Sequence, residues 1–517
     1  FIADGNTATK IGDSKLSYLS PSPSPTTSQT SSSGGSYDPA AVFFLELMIN
    51  VTLQNRDRIQ YLWPILFEHI TDILKDSQNN SVLLVERVVV ALLRLCIRLT
   101  HKDEMVSDIL QAIELLGTLP HEVINSVGEQ MMAGILNLIK SDATYIRGKK
   151  PWETVFTLLR ETATHPQASK YSFDAVTSLV RESKNINSDN FNECVELLAE
   201  FASAASYALE QDSDSHMRTP RSRTSKTQSA IIDRARKAVE LLHLLYSEIP
   251  KLLVESKTPQ NEAWSNYWLP VLTGFSQQCY NPCREVRQYA ISFLQRSLLD
   301  PELVSHGGFM EWVVIFEVVL FPLLDQLLKP EIFRADPIGM EETRMRASAL
   351  MCKIFLHYLN RMAEWGGLPS LWSQILDVMG RYMATGDNES LREAVPESLK
   401  NMLLVMSHSG IISPPGSTPD EAFLSNKPRM ELWDVTWEKV DKFLPDLKQE
   451  IFPQTKATEI SAESSPNKLQ AHESSGDHQN SSDSLVVINN ESKHSNENIP
   501  NPTNDQSHPI TIQESQV

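Results

Sequence analysis

The sequence predicts an all-α protein: an α-solenoid of HEAT/armadillo/TPR-like helical hairpins, with disordered N- and C-terminal segments. Three observations lead there. Residues recur at the three- and four-residue spacing of a helix with one packed face, as in Leu83, Leu84, Arg87, Val88, Ala91, Leu92, Leu95 and Leu99, all but Arg87 apolar. Alternating strand patterns are missing, and the periodic stretches are punctuated by Leu119-Pro120, Lys150-Pro151, His165-Pro166, Ile249-Pro250, Asn281-Pro282 and Lys329-Pro330. Proline suits the first helical position or the residues just past a helix end. Finally, one register recurs. Val286-Arg287 is followed by Ala290 and Leu294, Met345-Arg346 by Ala349, and Leu391-Arg392 by Val395 and Leu399. Apolar residues at i, i+4 and i+8 share a helix face, as in the inner helix of a stacked hairpin. The starts at 286, 345 and 391 are spaced at or above the ~40–47 residues of HEAT/armadillo units, so the repeat is degenerate.

In chain order, residues 1–36 form a Ser/Pro-rich segment, with Pro21-Ser22-Pro23-Ser24-Pro25 and a Ser/Thr run that bury too little apolar surface to offset ordering entropy. Residues 37–207 read as a first helical-repeat block, and Phe191, Val195, Leu198 and Phe201 keep its helical spacing. A polar stretch at 208–229 is expected to be a basic Ser/Thr linker. Residues 230–452 read as a second block, carried by Ile231, Val239, Leu242 and Leu245 and by Tyr267-Trp268-Leu269-Pro270, Phe321-Pro322-Leu323-Leu324 and Leu371-Trp372. Beyond Phe452 there is no Phe, Tyr or Trp. Residues 453–517 are expected to be a disordered acidic Asn/Ser-rich tail, interrupted only by Leu485-Val486-Val487-Ile488.

Composition excludes several classes. The 517 residues carry 46 Lys and Arg against 65 Asp and Glu, a net charge of −19. A nucleic-acid partner is not expected, because phosphate neutralisation needs a basic surplus. No run reaches the ~20 apolar residues that span a bilayer. Trp312 to Leu324 is short and carries Glu317 and Pro322, so its apolar residues read as buried core before a membrane-lying face. Five scattered cysteines argue for a reducing compartment.

Catalytic, metal and cofactor kits are absent from the sequence. There is no Gly-x-x-x-x-Gly-Lys-Ser/Thr loop and no dinucleotide fingerprint. Cys279-Tyr280-Asn281-Pro282-Cys283 lacks the second ligand pair of a zinc site and reads as two ordinary thiols at a helix boundary. His101, Lys102, Asp103 and Glu104 read as a polar turn, and His121-Glu122 lacks a metalloprotease's second histidine. The one candidate binding feature is the basic linker: Arg218, Arg221, Arg223 and Lys226, each worth ~1 kcal/mol near anionic lipid. Thr224 has arginines at −3 and −1 and Thr219 precedes Pro220, so phosphorylation there would weaken that attraction. A plain solvated linker is the competing reading.

Three ordered stretches carry a family resemblance. Val42-Phe43-Phe44-Leu45-Glu46-Leu47 through Val51-Thr52-Leu53-Gln54-Asn55-Arg56-Asp57-Arg58 resembles the C-terminal half of large Arf guanine-nucleotide exchange factors of the Golgi brefeldin A-resistance type. Trp152-Glu153-Thr154-Val155-Phe156, with His165-Pro166 and Phe173-Asp174-Ala175, is similar to a second stretch. Glu397-Ser398-Leu399-Lys400-Asn401-Met402-Leu403-Leu404-Val405-Met406, followed by Leu432-Trp433 and Trp437, resembles a third. The resemblance covers roughly 40–440 and implies a HEAT/TPR-like regulatory region downstream of the exchange domain. That domain's Phe-Arg-Leu-Pro-Gly-Glu loop is not found here, so no catalytic residue carries over.

The expected function is therefore a non-catalytic scaffold that helps position an Arf exchange factor on Golgi and early-secretory membranes. Arf-family GTPases would be partners through the parent protein, and no cofactor is expected. The alternative is a helical-repeat adaptor without membrane contact. Phe1 in place of Met is expected to mark a fragment or an incomplete gene model. Oligomeric state is left open.

Overall fold

Helix starts are chemically marked. Asp38 caps the first helix, its carboxylate accepting from Ala40 N at 2.8 Å, with Pro39 in the first turn. Ser81 accepts from Leu84 N, and Asp336 accepts from Gly339 N at 3.1 Å ahead of Pro337. The computed structural model describes residues 37–453 apart from 215–220, 307, 364, 386–388 and 415–426. Among these there are helices and no strand. The first half comprises α1 (Pro39–Gln54), α2 (Ile59–Lys75), α3 (Val82–Leu99), α4 (Val106–Leu116), α5 (His121–Asp142), α6 (Lys149–Glu161), α7 (Ser169–Arg181) and α8 (Phe191–Asp214). Then come α9 (Arg221–Ser256), α10 (Gln260–Ala263), α11 (Leu269–Gln278), α12 (Arg284–Leu298), α13 (Pro301–His306), α14 (Phe309–Val314), α15 (Phe321–Leu328) and α16 (Pro330–Ala335). The last are α17 (Pro337–Met362), α18 (Leu368–Ala384), α19 (Glu389–His408), α20 (Lys427–Val440) and α21 (Leu447–Ile451).

Packing sorts these helices into two rows. In one, α1, α3, α5, α7, α9, α12, α17 and α19 lie side by side in that order. In the other, α4, α6, α8, α11, α15, α18 and α20 follow one another, α11 meeting α15 through the helical turn Ile315–Leu320. The chain passes back and forth between rows, so the helices of a row pack on one another in order, and pairs such as α3 and α4, α5 and α6, α7 and α8, α8 and α9, and α11 and α12 pack across the rows. This is the layered helical repeat expected from the sequence. Across 208–229, α8 runs to Asp214 and α9 begins at Arg221, and the two pack along each other. Residues 221–249 contain neither Gly nor Pro, which explains how a Ser/Arg-rich stretch continues as helix.

Proline shapes the second row. Trp264–Trp268 and Ile315–Leu320 are π-helical, and each ends two residues before a proline, Pro270 and Pro322. A proline lacks the N–H that would bond the preceding turn, and a widened turn relieves the clash of its ring. The segment around Trp312 to Leu324 is core: Trp312, Ile315, Phe316, Val319, Leu320, Leu323 and Leu324 are all buried. No helix among the described residues is long and apolar enough to cross a membrane.

Tyrosines tie neighbouring helices through backbone carbonyls, two at the C-terminal end of α12, where carbonyls lack intrahelical partners, and one within α15. Tyr246 Oη donates to Ser297 O at 2.9 Å, Tyr358 Oη to Leu298 O at 3.0 Å, and Tyr382 Oη to Leu324 O at 3.1 Å. Burial pushes all three phenols well above their ordinary range, so they remain donors. Tyr382→Phe is expected to cost about 1 kcal/mol, with the Leu324 carbonyl left without its donor. Chemical denaturation checks it.

Candidate functional site

The α11–α12 turn is the polar centre of the second half. The Asn281 side chain donates to Ala202 O (3.1 Å) and to Gln278 Oε1 (2.9 Å), and its Oδ1 accepts from Cys283 N (2.9 Å). Gln278 Nε2 reaches Ala199 O and Ser203 Oγ at 3.2 and 3.0 Å, so the turn is fastened to α8. Arg287, wholly buried, follows on α12. It donates from Nε to Thr343 Oγ1 (3.0 Å), from Nη1 to the carbonyls of Asn281 (2.7 Å) and Pro282 (3.2 Å), and from Nη2 to Asp336. One guanidinium thus joins the turn, α12 and the start of α17. Gly339 is required there, because a β-carbon at that position would land on the Asp336 carboxylate and the Arg287 guanidinium.

Burial works to raise the Asp336 carboxyl, but hydrogen bonds from Arg287 and Gly339 N overcome it and hold the group below its ordinary value. The ionised form therefore stabilises the fold. That contribution is complete above the unfolded carboxylate range, near pH ~4, and is lost as pH falls through the lower folded value. The stability difference between the wild type and Asp336→Asn should accordingly shrink in acid, which denaturant titrations at several pH values will show.

The two cysteines of this turn flank the boundary between α11 and α12. Cys279 and Cys283 are free and buried; burial pushes the Cys279 thiol far up and the Cys283 thiol to about 11. They are inert at neutral pH. Among the described residues no group of His, Cys, Asp and Glu is arranged to hold a metal ion. His101 to Glu104 lie in the α3–α4 connection, where Glu104 pairs with Lys102 at 3.7 Å and accepts from Gln60. His121 opens α5 and faces Glu161 at 3.8 Å.

Of the candidate lipid or phosphorylation residues, Arg218 and Thr219 lie outside the described residues. Arg221, Arg223, Thr224 and Lys226 occupy the first two turns of α9. Sequence reasoning missed a groove between α12 and α17, a cavity of about 460 Å³ lined by Gln288, Tyr289, Ser292, Phe293 and Arg346. Its signal was present: Tyr289 and Phe293 stand four apart beside the stripe Val286, Ala290, Leu294. Arg236 sits over the Tyr289 ring at 5.3 Å, while Arg346 Nη2 donates to Ser292 Oγ at 2.9 Å. The groove thus joins aromatic faces to a guanidinium held by a neutral hydroxyl, a combination suited to an acidic peptide with an apolar side chain.

Comparison with known proteins agrees with the architecture. Residues 268–447 match a family model described as GBF1-like, tetratrico peptide repeat region. The ARF guanine-nucleotide exchange factors GNOM and GNL1 of Arabidopsis thaliana are 29% and 28% identical over 437 residues, which is 82% and 81% of this chain and 28% of each relative. A Golgi-specific brefeldin A-resistance guanine nucleotide exchange factor 1 homolog of Caenorhabditis elegans is 24% identical, covering 82% of this chain and 30% of its own length. The chain therefore spans under a third of the length of the curated relatives it matches. Among solved structures, a circular tandem repeat protein aligns with a TM-score of 0.31 and 12% identity over 80% of this chain and 94% of that one. Over four-fifths of its length the chain is thus similar to part of the ARF guanine-nucleotide exchange factors, a stretch that includes a match to a GBF1-like tetratrico peptide repeat region.

Proposed function

We propose that this chain is a non-catalytic regulatory and scaffold region of an ARF guanine-nucleotide exchange factor acting in Golgi vesicle trafficking, where it assists membrane recruitment and partner binding. The observation that supports this most is the alignment of four-fifths of the chain with such factors, over a two-row helical repeat. The polar clusters described above are engaged in fastening helices to one another. Nucleotide exchange belongs to the parent protein, and ARF-family GTPases are partners through it. Peripheral membrane contact is assigned to the segment around Arg218, Arg221, Arg223 and Lys226, and phosphorylation at Thr219 or Thr224 reverses it by charge.

Flotation with phosphatidylserine-containing liposomes tests the lipid contact. The purified chain is expected to float, and the Arg218→Ala/Arg221→Ala/Arg223→Ala variant to stay behind. Flotation equal in both, or in neither, removes the lipid assignment. The chain is expected to leave nucleotide release from an ARF GTPase at its spontaneous rate; acceleration would make it an exchange factor itself.

The α12–α17 groove favours a second reading, a peptide-binding adaptor without membrane contact. Binding of an acidic, aromatic-containing peptide that is lost in Arg346→Ala, together with no flotation, would establish it.

A further inference from the structure

Uncompensated positive charge gathers along one groove of an acidic chain. The α12–α17 groove is lined by the Tyr289 and Phe293 rings, 6.2 Å apart between centroids, and Phe293 stacks on His243 of α9 at 4.5 Å. Burial, and then the charge of Arg296, hold the His243 imidazole below its ordinary range, so this aromatic lining is neutral at physiological pH. Arg346 reaches across to Ser292 Oγ, a partner without charge. Arg296 stands one turn beyond Ser292 on α12, and Lys353 two turns beyond Arg346 on α17. Both are exposed, and neither has an ion pair among the described residues. The two helices run in the same direction, since Arg287 meets Thr343 toward their starts and Leu298 meets Tyr358 toward their ends. Arg296 and Lys353 therefore lie at the same end of the groove. Three nearby acids are already engaged: Glu342 by Arg284 at 2.8 Å, and Asp233 and Glu240 by Arg236.

We propose that this groove binds an extended segment of a partner protein in which an aromatic residue stands between two acidic ones, at positions i, i+2 and i+4. The proposal rests on the peptide-binding reading of the groove and adds a second anchor and a spacing to it. Seven helical residues set Arg346 and Lys353 about 10 Å apart. In an extended peptide alternate side chains share a face, so i and i+4 stand about 13 Å apart, within reach of two long basic side chains. The first acid meets Arg346, the aromatic ring covers Tyr289 and Phe293, and the second acid meets Arg296 and Lys353. A cavity of about 460 Å³ takes one large side chain rather than a whole helix, which is about 10 Å across. Charge supplies the selectivity. On a chain of net charge −19 an acidic segment is repelled by most of the surface and held where cations lack acidic partners.

Fluorescence anisotropy of the complete 517-residue chain with a labelled peptide of core Glu-Ser-Phe-Ser-Glu tests the proposal. Arg346→Ala and Arg296→Ala/Lys353→Ala are each expected to weaken binding more than about fivefold with unchanged helix content. Lys251→Ala, on α9, is expected to leave binding unchanged. The peptide Glu-Ser-Phe-Ser-Ser should bind the wild type weakly and lose nothing further in Arg296→Ala/Lys353→Ala, since both changes remove the same contact. Glu-Ser-Phe-Glu-Ser, whose second acid points to the other face, should behave as the one-acid peptide does. Binding that needs Arg346 but ignores Arg296, Lys353 and the second acid overturns the proposal and leaves the peptide reading standing. No binding of any of the three peptides to the wild type removes both. Flotation on anionic liposomes that depends on Arg296 and Lys353, without peptide binding, also overturns the proposal and makes the groove a lipid contact.

Discussion

Arg287→Ala is expected to destabilise the protein by about 3–5 kcal/mol, the range found when one partner of a buried ion pair is removed. The side chain is 1% exposed and makes four kinds of contact at once, with Asp336, Thr343 and the carbonyls of Asn281 and Pro282. Truncation leaves the Asp336 carboxylate without its cation, two carbonyls without their donor, and a cavity between α12 and α17. Arg287→Lys should recover little, because an ammonium cannot reproduce the planar fork that serves three directions. Arg346→Ala is the control. It lies three residues from Thr343, less than one turn along α17, is half-buried and is held by a single hydroxyl, so its loss should fall within about 0.5 kcal/mol. Guanidinium unfolding followed by tryptophan fluorescence distinguishes the two. Equal effects would mean that the buried node does not hold the second half of the row together.

Trp372→Ala is expected to cost a comparable 3–5 kcal/mol, the usual range for deleting a fully buried aromatic. The indole is completely enclosed, stacks on Phe355 of α17 at 5.1 Å between centroids, and donates from Nε1 to Thr436 Oγ1 of α20 at 2.8 Å. It therefore holds α18 both to the first row and to its successor in the second. Trp372→Phe separates the contributions. It keeps most of the apolar volume but leaves the Thr436 hydroxyl short of a donor, at a cost of about 1–3 kcal/mol. Thr436 also donates to Leu432 O, so it has no second proton with which to compensate. A Phe variant as unstable as the Ala variant would assign the effect to the hydrogen bond rather than to packing.

Helical class was legible because each helix buries a stripe at its own period, and Val286, Ala290 and Leu294 are buried as their spacing requires. The register of the repeat was legible only in part. On α17 the buried positions include Thr343, Arg344, Ala347, Ser348 and Met351, while Met345 and Arg346 are half-buried and Ala349 is exposed. The expected Met345-Arg346 pair stands two residues off. The misreading has a physical source, because an arginine within a stripe normally signals the solvent side. Here both internal arginines have partners far along the chain: Arg287 has Asp336, and Arg344 has the Leu327 carbonyl at 2.7 Å and the Phe333 ring at 4.2 Å. A local pattern carries no trace of a partner so distant. The groove of Tyr289, Phe293 and Arg346 was hidden for the same reason, since α12 and α17 supply its two walls.

The Ser/Arg-rich stretch shows the opposite limit. Its polarity was read as a linker, yet from Arg221 onward it is the opening of a 36-residue helix packed along α8. Polarity alone does not end a helix when no Gly or Pro intervenes and the neighbouring turns are well packed.

The distribution of the fluorescently tagged chain in living cells, measured against a Golgi marker, tests the central claim most directly. Enrichment on Golgi membranes, diminished by the Arg218→Ala/Arg221→Ala/Arg223→Ala substitutions, is the result expected of a recruiting region of an ARF exchange factor. An even distribution through the cytosol, unchanged by those substitutions, would contradict it.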